Sequence, residues 1–196
     1  MQKFVTTRLS LLLRIRDHRD AESWHDFMQI YAPVIFRYAK RMGLQEADAA
    51  DVTQDVLRVV SENIEGFDYD QRIGRFRGWL KKVAFYTASQ MKRRQQHQPI
   101  AGGDSVHLDL ATGDPNQADT RFWDDAYTQR LFELACDRVR PQVQSHTWDA
   151  FWATAIDSRD PVEVATQLQM NVGSVYVARN RVFARIKAAL QELDER

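Results

Sequence analysis

The chain has 196 residues, enough for one large core or two small ones. Lys+Arg and Asp+Glu both number 27, charged residues make up 28% and hydrophobic residues 44%, a profile that excludes a disordered or membrane-embedded chain. The lone Cys136 excludes an internal disulfide framework and fits a reducing compartment, while eight Gly and five Pro disfavour a turn-rich all-β fold.

Near the start, Leu11-Leu12-Leu13 is closed by Arg14 and Arg16. That run is too short for the hydrophobic region of a signal peptide and far too short to span a bilayer, so a cytoplasmic protein with no membrane contact is expected. From Asp20 to Met42, Trp24, Phe27, Met28, Tyr31, Ile35, Tyr38, Ala39 and Met42 recur at steps of three and four, and Gly43 supplies a stop. Pro33 inside this run predicts a bend or a split. A second helix is predicted over Glu46 to Asn63, with Ala49, Val52, Val56, Val60 and Ile64 along its inner side. Asp48, Asp51, Gln54 and Asp55 cluster at one-turn spacing on the other side. Paired carboxylates suit a metal or acid–base work, a docking face for a basic protein surface, or a plain solvated face.

The glycine-bounded stretch Gly66 to Gly74 holds Phe67, Asp68 and Tyr69, a loop rich in hydrogen-bonding groups that suits a flipped-out base. A third helix follows over Phe76 to Gln95, with Trp79, Leu80, Val83, Ala84, Thr87 and Met91 inward. From Arg72 to Arg94 there is no Asp or Glu, while Arg72, Arg75, Arg77, Lys81, Lys82, Lys92, Arg93 and Arg94 are interleaved with Phe76, Trp79, Phe85 and Tyr86. Cations attract phosphates and aromatic faces hold unstacked bases; the structural alternative is a solvated basic face over core aromatics.

Residues 96–119 are polar, acidic and rich in breakers, so they read as a linker between a first domain over residues 1–95 and a second over 120–196. Charge supports the division. Through Gln98, 17 bases face 12 acids; from Pro99 to Asp137, two bases face eight acids; the remainder is near neutral. Helices are predicted over about Thr120 to Arg138, Ser145 to Ile156, Val162 to Leu168, and from Val172 to the C-terminus. The class is all-α.

The last two helices have helix-turn-helix spacing: a short helix, a turn at Gln169-Met170, and Asn171 as N-cap of the next helix. Val175, Ala178, Val182, Ile186 and Ala189 form its inner face. Ser174, Tyr176, Arg179, Asn180, Arg181, Arg185 and Lys187 are the outward candidates, and a plain helical hairpin is the alternative. His18, His25, His97, His107 and His146 show no metal-ligand spacing with one another or with Cys136, and no phosphate-cradling loop or nucleophile motif occurs. Neither a cofactor nor an enzymatic activity is expected.

Taken in this order, these segments resemble the sigma-70 family of bacterial transcription initiation factors, specifically the extracytoplasmic-function (ECF) group. Ala49 to Leu57 looks like that family's core-binding helix, Phe76 to Ala84 like its promoter-melting segment, Lys92-Arg93-Arg94 like the basic end of the same helix, and Val164 to Ile186 like its helix-turn-helix. The resemblance implies that Asp48, Asp51, Gln54 and Asp55 meet the β′ clamp helices of core RNA polymerase. It implies a −10 surface of Phe67, Asp68, Tyr69, Arg75, Arg77, Trp79, Lys82, Tyr86, Lys92, Arg93 and Arg94. It also implies a −35 surface of Asn171, Gly173, Ser174, Tyr176, Arg179, Asn180, Arg181 and Arg185, a second contact with the polymerase β flap, a linker threading the RNA channel, and an anti-sigma partner of the kind many relatives have. Tyr86, Gln90 and Tyr176 stand where the family commonly has Asn, Asp and Lys, so promoter preference does not transfer. A helix-turn-helix regulator acting without being a polymerase subunit, and a protein-binding adaptor, are the competing readings.

Overall fold

The computed structural model describes residues 9–67, 75–95 and 117–195. Among the described residues eight α-helices run in order: α1 (Leu9–Arg14), α2 (Ala21–Arg41), α3 (Glu46–Asn63), α4 (Arg75–Gln95), α5 (Gln117–Val139), α6 (Ser145–Phe151), α7 (Pro161–Gln167) and α8 (Val172–Glu195). No strand occurs among the described residues, as expected. The chain forms two compact units, Met1–Arg130 and Leu131–Arg196.

In the first unit α2, α3 and α4 pack on one another and α1 lies on α2. The α3 stripe is buried in full: Ala49, Val52, Val56 and Val60 on the helix and Ile64 just after it. Phe27, Ile30, Tyr31, Val34, Ile35 and Tyr38 face it from α2, and Phe76, Leu80, Val83 and Ala84 from α4. Met28 departs from expectation, being 42% exposed. Asp20 caps α2 by accepting the Ser23 N–H at 3.0 Å and is held by Arg14 at 2.8 Å. The guanidinium and the N-cap bond keep its carboxyl below the usual range.

Helix α2 ends at Met42, and Gly43 has φ +89°. Gly43 N–H reaches Lys40 O at 2.9 Å and Leu44 N–H reaches Ala39 O at 3.3 Å. This is the Schellman arrangement, and its left-handed residue explains the glycine.

Pro33 does not split α2, which is continuous across it. Proline offers no N–H, so the carbonyl four residues back, that of Gln29, loses its intrahelical donor. Arg130 supplies the replacement: its Nε donates to Gln29 O at 2.8 Å, and Nη2 donates to Gln29 Oε1 at 3.1 Å.

Arg130 lies on α5, whose first half belongs to the first unit. Trp123, Ala126 and Tyr127 are buried there. Tyr127 stacks on Tyr31 with centroids 5.6 Å apart, Trp123 meets Tyr38 edge-on at 5.4 Å, and the Arg41 guanidinium lies 4.7 Å over the Phe122 ring. The compact units divide at Arg130/Leu131, inside α5, and these aromatic contacts join residues 119–130 to the first unit. Most of the expected linker, residues 96–116, lies outside the described residues.

In the second unit Leu131, Ala135, Cys136 and Val139 continue the buried side of α5. One core cluster joins Cys136, Trp148, Phe151, Val182, Ile186 and Leu193; another joins Ala150, Val164, Ala165, Val175 and Ala178. Helix α6 widens into a π turn over Trp152–Ile156. The Thr154 hydroxyl donates to Ala150 O at 2.7 Å, satisfying a carbonyl within the widened turn.

Candidate nucleic-acid interface

Helix α3 presents its acidic residues opposite the buried stripe. Asp51 and Gln54 are exposed, and Asp48 and Asp55 half-exposed. Asp55 is held by Arg58 one turn on, at 3.1 Å. Three-and-four spacing puts all four side chains on one face, which leaves a negative, hydrogen-bonding surface on a rigid helix. Among the described residues no group of three or more His, Cys, Asp or Glu is arranged to hold a metal ion. The face is suited to meeting a cationic surface.

Of the −10 candidates, Asp68 and Tyr69 lie outside the described residues, and Arg75 opens α4. Phe67 and Trp79 are half-buried and pack with Phe76 in one aromatic cluster, Phe67 being 5.2 Å from Trp79 and 5.7 Å from Phe76. Arg16 donates to the Phe67 carbonyl. Arg77 is only 15% exposed; it pairs with Asp124 and lies 4.1 Å over the Tyr127 ring. Lys81 donates to Thr120 Oγ1 at 2.7 Å. Lys92 donates to the Met42 carbonyl at 2.8 Å, placing a cation at the negative C-terminal end of α2. Lys82 and Tyr86 are half-buried, with Tyr86 edge-on to Phe85 at 5.6 Å, and Arg93 and Arg94 are exposed. The basic helix is therefore partly engaged by its own unit, and the partners on α5 were not legible locally.

The α7–α8 pair of the second unit is built from caps. Asp160 accepts from Val162 N at 2.7 Å and Glu163 N at 3.3 Å, with Pro161 opening α7. At the other end Gln169 N–H reaches Thr166 O at 3.3 Å and Met170 N–H reaches Ala165 O at 2.9 Å. This is a second Schellman arrangement, with Gln169 at φ +54° where glycine is the usual choice. Asn171 Oδ1 then accepts from Ser174 N at 2.7 Å and caps α8.

On α8, Val175, Ala178, Val182, Ile186 and Ala189 are buried as expected. Gly173, Tyr176, Arg179, Asn180, Arg181 and Arg185 are exposed and Ser174 half-exposed. Arg185 donates to the Gln142 carbonyl at 2.7 Å, which ties α8 to the 3-10 turn Arg140–Gln142. Sequence reasoning passed over Val177 and Phe183, 57% and 62% exposed; both lie off the buried stripe, which was the available signal. It also passed over a cleft of about 500 Å³ in the second unit, walled by Phe132, Trp148, Trp152 and Leu168 and rimmed by Glu133 and Asp137. No helix among the described residues is long and apolar enough to cross a membrane.

Comparison with known proteins finds similarity to sigma factors. Sigma-70 region 2 matches residues 27–98, which contain the rest of α2 from Phe27, all of α3 and all of α4. The ECF RNA polymerase sigma factor SigE of Mycolicibacterium smegmatis is 21% identical over 159 residues, covering 81% of this chain and 58% of the relative's length. Among solved structures, that of CnrH in complex with the cytosolic domain of CnrY aligns at 16% identity with a TM-score of 0.37, covering 93% of this chain and 96% of that one. Residues 27–98 are thus similar to region 2 of the sigma-70 family.

Proposed function

We propose that this chain binds core RNA polymerase and directs promoter-specific initiation, reading a −35 element as duplex and capturing unpaired bases of a −10 element. The observation that carries the reading is the region 2 match lying over α3, where Asp51 and Gln54 are exposed opposite a wholly buried stripe. With zero net charge the chain has little long-range attraction for DNA, so it depends on polymerase to bring it to promoters. Asp48, Asp51, Gln54 and Asp55 dock on the β′ clamp helices, and the second unit contacts the β flap. Once docked, binding at one promoter element raises the effective concentration at the other.

The capped helix-turn-helix supports a role for α8 in the major groove, where Asn180 and Arg181 suit base edges and Arg179 suits phosphates. Lys82, Tyr86, Arg93 and Arg94 of α4 take the −10 strand. Arg77 and Lys92, each bonded to a protein acceptor, act mainly by holding α4 in place. An anti-sigma protein of the ECF kind is the expected inhibitor.

Run-off transcription with sigma-free core polymerase tests the proposal: the chain should confer a defined start site by itself, whereas a regulator changes initiation only when another sigma is present. The double variant D51A/Q54A should weaken core binding by about 10- to 100-fold, the effect of removing two contacts at the centre of an interface, with the fold unchanged. Unchanged core affinity would refute the docking role.

A further inference from the structure

Water and helix propensity both disfavour a valine on the outer face of a helix, because a β-branched side chain loses rotamer freedom there and exposes its methyls. Val177 nevertheless sits on α8 at 57% exposure. One turn earlier on the same face is Gly173, of the residue type that forms helix least readily after proline. Its φ is not positive, so the backbone does not demand glycine; a side chain there would meet only Asn171 Oδ1, at 3.3 Å. Glycine thus leaves the face without a side chain one turn before Val177. One turn further on, the same face carries Asn180 and Arg181, both exposed. From Val172 to Gln191 there are four bases, Arg179, Arg181, Arg185 and Lys187, and no acid. The result is a small exposed apolar group beside a side-chain-free position, set in a cationic polar surface.

A polyanion that also offers a small apolar group at matching depth is duplex DNA, and the apolar group on a major-groove base edge is the C5-methyl of thymine. We infer that Val177 is a specificity-determining residue whose methyls take the C5-methyl of one thymine in the upstream promoter element, with Gly173 letting the groove edge approach. This rests on the duplex-reading role proposed for α8. A protein partner fits less well, because Val177 is bounded on its own face by Gly173, Asn180 and Arg181 rather than by further large apolar side chains.

The test uses the holoenzyme reconstituted from the full chain and sigma-free core polymerase. Upstream duplexes are selected by it from a randomised pool, and each thymine of the selected element is then replaced in turn by deoxyuridine, which lacks only the methyl. At one position the replacement should weaken wild-type binding by about fourfold, the worth of one buried methyl, and leave V177A binding unchanged. V177T, which keeps the branched shape, should retain part of the sensitivity; thermal melts of both variants report folding. Equal effects of deoxyuridine on wild type and V177A at every position would overturn the inference. So would a V177A variant that loses core affinity instead, since Val177 would then belong to a protein interface. A holoenzyme that initiates from a defined start yet selects no upstream sequence would refute the duplex-reading role itself, a separate and recognisable failure.

Discussion

Replacing Arg130 by alanine should destabilise the first unit, and should do so only while residue 33 is proline. Pro33 removes one helix hydrogen bond and leaves Gln29 O to an outside donor, which Arg130 provides at 2.8 Å while its second nitrogen holds the Gln29 side chain at 3.1 Å. A hydrogen bond from a charged donor contributes about 1.5–3 kcal/mol when well buried. Arg130 is half-exposed and water can partly replace it, so R130A should cost about 1–1.5 kcal/mol, more than a surface substitution normally does. P33A restores an N–H four residues after Gln29, and should stabilise by about 1–2 kcal/mol, the usual interior-proline penalty less what Arg130 already recovers. In that background R130A should cost under about 0.5 kcal/mol. Native-state hydrogen exchange of the α2 amides in the full chain reads the four species without assuming that both units unfold together. Single-variant effects that add to within about 0.3 kcal/mol would refute the claim that the arginine substitutes for the missing bond.

Gln169 adopts φ +54°, so Q169G should stabilise the second unit by about 1 kcal/mol, seen as a melting-temperature rise of several degrees; a fall would show that the glutamine side chain stabilises the turn more than its strained backbone costs it. Tyr38 Oη is buried with no hydrogen-bond partner among the described residues, and burial pushes its phenol up. Y38F should therefore leave stability unchanged or raise it by about 1 kcal/mol in urea titration, whereas a clear loss would mean the hydroxyl is satisfied. Burial, reinforced by Asp137 and Glu133, pushes the Cys136 thiol up to about 11. Because the folded chain holds the proton more tightly than the unfolded chain, the stabilisation is complete below about pH 9 and is lost as pH rises through about 11. Alkylation at pH 8 should be roughly a hundredfold slower in the native protein than in urea, and equal rates would contradict the burial.

The helices were legible because period and caps act locally. Five apolar positions in and just after α3 and five in α8 were all buried, Asn171 capped α8 through its own side chain, and Gly43 ended α2. Helix α1 was not legible, since six residues are too few to show a period, although Leu11 and Leu12 are buried. The acidic face of α3 could be read for the same local reason. The engagement of Arg77 and Lys81 could not, because their partners Asp124 and Thr120 lie 47 and 39 residues away. Apolar spacing along α5 likewise says that one side is buried but not against which core, so the boundary between units could not be read from it. Pro33 shows the same limit: the sequence reveals a lost bond, and only the packing reveals Arg130 restoring it.

The division of α5 bears on how the protein can be cut. A fragment ending at Gln95, where residue pattern suggests the first domain stops, discards Phe122, Trp123 and Tyr127 and with them the covering of Tyr31 and Tyr38. Such a fragment carries a freshly bared aromatic surface and is prone to self-association. One ending at Arg130 keeps that covering, together with the arginine that mends the proline gap in α2, and is the more promising piece for studying α3 and its acidic face in isolation.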